Sequence, residues 1–188
     1  MAFVATIASA AIFSATPASA AVVDSGPWEI RPYANSTKCV EIPNGSKSDS
    51  TVADLWSCAS AALPNNTGGI TPLWHRWIWR KMSSGYFEII NGNSGKCLNV
   101  PGGSLNNSVK IIQYTCTTDS SSAKNDRWEQ VWVKNANGYS WYEIVNQNSH
   151  KCLNLPNGAN ANGTQLIQYT CGAGASNEIF TWVPAKQV

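Results

Sequence analysis

Short segments in which apolar and polar residues alternate recur along the chain. Residues 86–91 (Tyr-Phe-Glu-Ile-Ile-Asn) and 141–146 (Trp-Tyr-Glu-Ile-Val-Asn) show the pattern, and 28–30 (Trp-Glu-Ile) is a shorter copy. Aromatic and β-branched residues with this alternation predict β-strands, and the intervening Pro-Asn-Gly type clusters predict turns. No segment of useful length has the apolar period of an amphipathic helix. The pattern therefore predicts an all-β protein built from many short strands.

Six cysteines fall into three pairs with the same spacing of nineteen positions within each pair. The first member of each pair lies in Lys-Cys-Val-Glu-Ile-Pro, Lys-Cys-Leu-Asn-Val-Pro or Lys-Cys-Leu-Asn-Leu-Pro, and the second follows an aromatic residue by two positions. A unit that recurs in the same order three times indicates a tandem triplication. We expect the repeats at about 28–82, 83–138 and 139–184.

The repeat also bears on how the cysteines pair. Their number alone allows fifteen pairings. A unit that was duplicated whole most simply carries its own bridge, which favours one disulfide in each repeat. Nineteen-residue gaps lack the short ligand spacing of structural zinc sites, so no metal site is expected. The predicted bridges are Cys39–Cys58, Cys97–Cys116 and Cys152–Cys171.

Residues 1–20 carry no charge and run from an apolar stretch into Ala-Ser-Ala, a small-residue cleavage site. This pattern predicts a signal peptide cleaved before Ala21, a secreted extracellular protein, and an oxidising compartment in which the cysteines pair. The alternative is an apolar N-terminus that is retained. The apolar part is too short to span a membrane. A short segment, 21–27, would then precede a single domain over 28–188.

Composition limits the classes of partner that the protein is expected to bind. The chain has 13 Lys+Arg against 11 Asp+Glu, a net charge of +2, and only 13% charged residues, which argues against a nucleic-acid partner. Aromatic residues make up 10%, including 9 tryptophans, enough to present flat rings to a ligand. No phosphate-binding glycine loop or metal-ligand cluster is present, so no cofactor is expected. We expect a monomer without a membrane partner.

The repeated cysteine segments, the aromatic residue before each second cysteine and the aromatic residue that closes each repeat resemble the ricin B-chain-type lectin domain. The resemblance covers about residues 28–184. It implies a β-trefoil of three repeats with pseudo-threefold symmetry, and carbohydrate binding without catalysis. In that family each repeat can hold one shallow sugar site, so the expected partner is a polysaccharide or glycan.

The resemblance also assigns the residues of each site. The family uses an acidic residue two positions after the first cysteine, an aromatic two before the second, and an asparagine three before the closing aromatic. Here the acidic residue is replaced by asparagine in two repeats, and the asparagine is missing from the first. The corresponding positions are Glu41, Trp56 and Trp74, then Asn99, Tyr114 and Asn125, and finally Asn154, Tyr169 and Asn177. We expect the second and third repeats to be the main sites.

Other interpretations of these residues stay open from sequence. The three site aromatics are also compatible with strand residues packed on the core, and the asparagines with turn residues that bond their own backbone. Five further tryptophans are interpreted as core or cap residues: Trp77, Trp79, Trp128, Trp132 and Trp182.

Catalysis is not expected. Glu29, Glu88 and Glu143 occupy the same repeat position, so a structural role in each unit is favoured over one active site with a carboxylate pair. A second functional hypothesis is a β-trefoil whose sugar sites have degenerated and whose loops bind a protein, for example as a protease inhibitor. The fold alone does not choose between the two.

Overall fold

A computed structural model describes residues 24–59 and 69–187. The predicted signal peptide lies outside these residues. The described part contains β-strands and short 3-10 turns but no α-helix, and none of its helical segments is long and apolar enough to cross a bilayer. The strands are β1 (Asp24–Pro32), β2 (Lys38–Glu41), β3 (Asp54–Ser57), β4 (Trp77–Lys81), β5 (Phe87–Asn91), β6 (Cys97–Asn99), β7 (Val109–Lys110), β8 (Ile112–Tyr114), β9 (Arg127–Ala136), β10 (Tyr139–Asn146), β11 (Cys152–Asn154), β12 (Ile167–Tyr169) and β13 (Ile179–Pro184).

Six of these strands close into an antiparallel barrel. The neighbours in order are β1, β4, β5, β9, β10 and β13, and β13 pairs back with β1. Each repeat supplies two of the six strands. Closure leaves the barrel without free edges, which protects it from pairing with other chains. The all-β prediction is confirmed, and the architecture is that of a β-trefoil.

Each repeat also contributes a hairpin that covers one end of the barrel. The hairpins are β2–β3, β6–β8 and β11–β12. Three backbone hydrogen bonds link them in a ring, from Ala53 to Ile111 (2.9 Å), from Ile111 to Leu166 (2.9 Å) and from Leu166 to Ala53 (3.0 Å). Each repeat donates one of these bonds to the next, and the third donates back to the first, as expected around a threefold axis.

The aromatic residue that closes each repeat is buried where barrel and hairpin meet. The indole nitrogen of Trp77 donates to the Val40 carbonyl, and that of Trp128 to the Leu98 carbonyl, both across 2.9 Å. Phe180 fills the third position and is also buried. Because a buried indole N–H needs a partner, these bonds fix the hairpins to the barrel.

The three disulfides form as predicted, one within each repeat. Their Cα atoms lie 5.0 to 5.1 Å apart, and no cysteine is free in the described part. Each bridge joins the first strand of a hairpin to the segment just after its second strand. The bridge thereby restricts the conformations that the intervening loop can adopt in the unfolded chain.

One tryptophan assignment is wrong. Trp132 is 59% exposed and is not a core or cap residue. The pairing of β9 with β10 shifts register between Trp141 and Tyr142, so an extra residue stands in β9 next to Trp132. The extra residue is Val133, directly after Trp132, and such a bulge bends the strand and changes the direction of the side chains beside it. Trp77, Trp79 and Trp128 are buried as expected, and Trp182 is half-buried.

Candidate functional site

The third repeat brings its three predicted site residues to one cleft. Asn154 is the last residue of β11, Tyr169 the last of β12, and Asn177 lies in the loop before β13. All three line an open cleft of about 670 Å³. The Tyr169 side chain is 43% exposed, whereas Asn154 is buried at the cleft floor. The cleft thus combines an accessible ring with a fixed polar group.

The two asparagines of this repeat form a hydrogen-bonded pair. Asn177 donates its side-chain amide to the side-chain oxygen of Asn154 (3.1 Å) and to the Leu155 carbonyl (3.2 Å). The Asn154 amide in turn lies 3.5 Å from a Glu178 carboxylate oxygen. Contacts of this kind hold an amide in one orientation before any ligand arrives, which reduces the cost of ordering it on binding.

The second repeat contains the same asparagine pair. Asn125 donates to the side-chain oxygen of Asn99 (3.0 Å) and to the Val100 carbonyl (3.0 Å). Tyr114 is 44% exposed at the end of β8. Asn125 lines a cleft of about 370 Å³ with Gly102, and neither Asn99 nor Tyr114 lines it. The two repeats therefore match in their residues and in the asparagine pair, but of their two described clefts it is the third-repeat one that contains all three predicted residues of its repeat.

These positions decide between the interpretations left open by the sequence. Tyr114, Tyr169 and Trp56 are exposed rather than packed in the core, so the core alternative is wrong. The side-chain oxygens of Asn99 and Asn154 accept bonds from another side chain rather than from their own backbone. They are organised as pairs, not as isolated turn residues.

The first repeat contains a different site. Glu41 pairs across the hairpin with Asp54, and the Glu41 carboxylate contacts Nε2 of His75. Trp56 and Trp74 are exposed beside this buried group, and all five residues line a cleft of about 600 Å³. Trp74 stands where the other repeats have asparagine, and Asp54 where they have isoleucine. The predicted residues Glu41, Trp56 and Trp74 line one cleft, together with the ionisable residues Asp54 and His75.

Burial and the neighbouring Glu41 carboxylate raise the pKa of Asp54 to about 7. The cause is that both acids lie on one face of a hairpin, where water cannot screen them well. Neither Asp54 nor His75 was expected among the site residues. The available signal was that two ionisable residues depart from the repeat at positions flanking the site.

The three repeated glutamates lie beside the three disulfides. Glu29, Glu88 and Glu143 are buried, and a carboxylate oxygen of each lies within 4.8 Å of both sulfurs of its repeat's disulfide. Those sulfurs are bonded to each other and are not thiolates, so these groups are not metal sites. The position beside each bridge fits a role in every unit.

The sequence was compared with protein families and with curated proteins. Over residues 73–169, and again over 124–186, it matches the family described as "Ricin-type beta-trefoil lectin domain-like". The second match begins about one repeat after the first. The comparison with curated proteins gave no match. The β-trefoil with one paired hairpin per repeat defines the class, and the chain belongs to the ricin-type β-trefoil lectin domain-like family.

Solved structures agree with this fold. A designed threefold symmetric protein, ThreeFoil, matches 85% of this chain and 99% of its own at 24% identity and a TM-score of 0.66. A lectin from Polyporus squamosus, solved with the epitope Neu5Aca2-6Galb1-4GlcNAc, matches 84% of this chain and 48% of its own, at 15% identity and a TM-score of 0.61. An exo-beta-1,3-galactanase from Clostridium thermocellum matches 87% of this chain but 31% of its own, at 20% identity and a TM-score of 0.68. At these identities the likeness concerns the fold.

Proposed function

We propose that this chain is a secreted, non-catalytic carbohydrate-binding protein, with its main sites in the second and third repeats. The observation that carries the proposal is the third-repeat cleft, where the exposed ring of Tyr169 lies beside the Asn154–Asn177 pair. A pyranose has an apolar C–H face and a hydroxyl edge. The ring covers the first, and amide groups donate to and accept from the second.

Family membership supports the same function, because the fold is that of carbohydrate-binding lectins. The Polyporus squamosus lectin, which shares the fold, was solved with a saccharide. Shallow sites of this kind are weak one by one. A chain with several of them gains affinity when they engage a polymer or a glycan array together. The expected ligand is therefore a polysaccharide or clustered glycan, bound by a monomer.

Secretion rests on the predicted signal peptide and on the three disulfides. Bridges of this kind form and persist in oxidising compartments. The proposed absence of catalysis rests on the repeated carboxylates: Glu29, Glu88 and Glu143 are buried beside their disulfides, where they are not placed to act on a sugar in the clefts.

A glycan array or polysaccharide pull-down tests the proposal. We expect retention by the parent protein and its loss in the double variant Tyr114→Ala with Tyr169→Ala, with almost no change in melting temperature because both rings are exposed. Trp132→Ala, which removes an exposed ring outside these sites, is the matched control. Equal retention by the double variant would show the sites to be wrong. Binding to no carbohydrate would favour the protein-binding hypothesis.

A further inference from the structure

The floor of the first-repeat cleft holds two carboxyl groups, Glu41 and Asp54, at positions where the other repeats have uncharged side chains. Glu41 and Asp54 are both at most 8% exposed, and their backbones are directly paired across the β2–β3 hairpin. The equivalent positions hold asparagine and isoleucine in the second and third repeats. Whatever this cleft binds is therefore recognised by a chemistry that differs from theirs.

Among the described residues that line this cleft, His75 is the one base, and its Nε2 contacts a carboxylate oxygen of Glu41. The structure describes no ion pair for Asp54, and its Oδ1 atom has no hydrogen-bond partner. Nδ1 of His75 is also without a partner. A buried carboxylate without a cation is costly, and here the cost is expressed as the raised pKa of Asp54.

The walls of the cleft indicate which kind of cation would fit it. Trp56 and Trp74 are both exposed and line the same cleft as Asp54. An indole face attracts a cation through its quadrupole, and it also covers the apolar face of a pyranose. A ligand with an ammonium group attached directly to a sugar ring satisfies the carboxylate and both indoles at once.

We propose that the first-repeat cleft binds a sugar with a free ammonium group, that is, a hexosamine unit without its acetyl group. The ammonium lies against Asp54 and Glu41, and the ring of the sugar lies between Trp56 and Trp74. The inference rests on the proposed carbohydrate-binding function and assigns a ligand class to one of its sites. The net charge of +2 gives no general attraction for a polycation, so a preference for such a ligand has to come from this cleft.

Isothermal titration calorimetry with two oligosaccharides of equal length tests the proposal, one of glucosamine and one of N-acetylglucosamine, at pH 7 and constant ionic strength. The parent protein binds the glucosamine oligomer more tightly. Asp54→Asn keeps the shape but removes the charge, and it lowers affinity for this oligomer about tenfold, since losing one partner of a close charge pair costs at least that much. Affinity for the acetylated oligomer changes less than about twofold, within the usual effect of a mild substitution.

A second variant and a second pH guard against indirect effects. Asp54→Ile places the residue of the other repeats at this position and has the same expected effect as Asp54→Asn. At pH 5 the parent protein binds the glucosamine oligomer several-fold more weakly than at pH 7, because the ammonium must displace the proton from Asp54. Trp132→Ala, which removes an exposed ring outside the clefts, leaves the preference for the glucosamine oligomer intact.

Two results would overturn the inference: equal affinity of the parent for both oligomers, or an unchanged preference in both Asp54 variants. Either result is compatible with a parent protein that binds a neutral polysaccharide and a Tyr114→Ala, Tyr169→Ala double variant that does not bind it. In that case the first-repeat assignment fails and the proposed function stands. If the parent protein bound no carbohydrate at all, both the first-repeat assignment and the proposed function would be contradicted.

Discussion

Asn177 donates its side-chain amide to the side-chain oxygen of Asn154 across 3.1 Å. One residue comes from a loop and the other from the end of a hairpin strand, so the bond joins two parts of the repeat at the cleft. Asn125 and Asn99 form the same bond in the second repeat, across 3.0 Å. A contact that recurs at equivalent positions points to a site that is preorganised in both units.

Removing the donor of this pair should weaken sugar binding more than it weakens the fold. In Asn177→Ala, Asn154 loses the bond that orients its side chain, and the Leu155 carbonyl loses a partner. We expect a fall of about 1 kcal/mol in the free energy of unfolding, typical of one lost hydrogen bond, and a several-fold loss of affinity in the third repeat. Calorimetry with the oligosaccharide identified by the array, in a Tyr114→Ala background, measures the third repeat. Unchanged affinity would contradict the role of the pair.

The closing tryptophans should contribute to stability through a single hydrogen bond each. Trp77→Phe copies the residue of the third repeat but leaves the Val40 carbonyl without its indole donor. We expect the free energy of unfolding, from urea titration, to fall by about 1–3 kcal/mol. Trp132→Ala is the control: its side chain is exposed, so its effect should stay within about 0.5 kcal/mol. Equal effects of the two variants would show that burial at the closing position is unimportant.

Each disulfide should stabilise its own repeat. Removing one bridge with the double substitution Cys152→Ala and Cys171→Ala releases a loop of about twenty residues, for which chain entropy gives about 3 kcal/mol. Urea titration of this variant beside the parent measures the loss. Peptide mapping without reductant checks the pairing separately. A peptide that links two different repeats would contradict it.

Glu88 makes stability depend on pH in a defined window. Burial, together with the nearby charge of Asp126, raises the pKa of Glu88 from 4.5 to about 7. Between these values the unfolded chain has lost this proton while the folded protein keeps it, so stability falls as pH rises and is level above about pH 7. The side chain introduced by Glu88→Gln does not titrate in this range. Relative to the parent, it should gain stability from pH 4 to pH 7 and gain no more above that.

Urea titrations at several pH values and constant ionic strength follow this difference. Glu129→Gln, on the neighbouring strand β9, is a control for the loss of one negative charge. If the difference in stability from the parent followed the same curve against pH in Glu88→Gln and Glu129→Gln, the folded protein would not hold this proton on Glu88.

Repetition made most of the fold predictable. Strand alternation, equal cysteine spacing and recurring turn clusters each depend on local chemistry that is copied three times, and they predict the short strands and the bridges, whereas the β-trefoil arrangement was implied by the family resemblance. The exposure of Trp132 was not predictable, because the bulge in β9 depends on how that strand pairs with β10. Alternation within one segment does not contain that information.

The site was predictable where the repeats agree and not where they diverge. The resemblance identified Asn154, Tyr169 and Asn177 by position, and the structure places them together. The joining of Asp54 and His75 to Glu41 depends on a hairpin pairing and on a loop that follows much later in the chain. Contacts between such distant segments arise from tertiary packing, which local sequence does not encode.

Nuclear magnetic resonance offers the most direct test of sugar binding at the assigned residues. An oligosaccharide from the array is titrated into labelled protein while the side-chain amide signals of Asn154 and Asn177 and the ring signals of Tyr169 are followed. We predict saturable shifts of all three, mirrored by Asn99, Tyr114 and Asn125, with Trp132 unaffected. Saturable binding that leaves these six residues unmoved and shifts others would contradict the account.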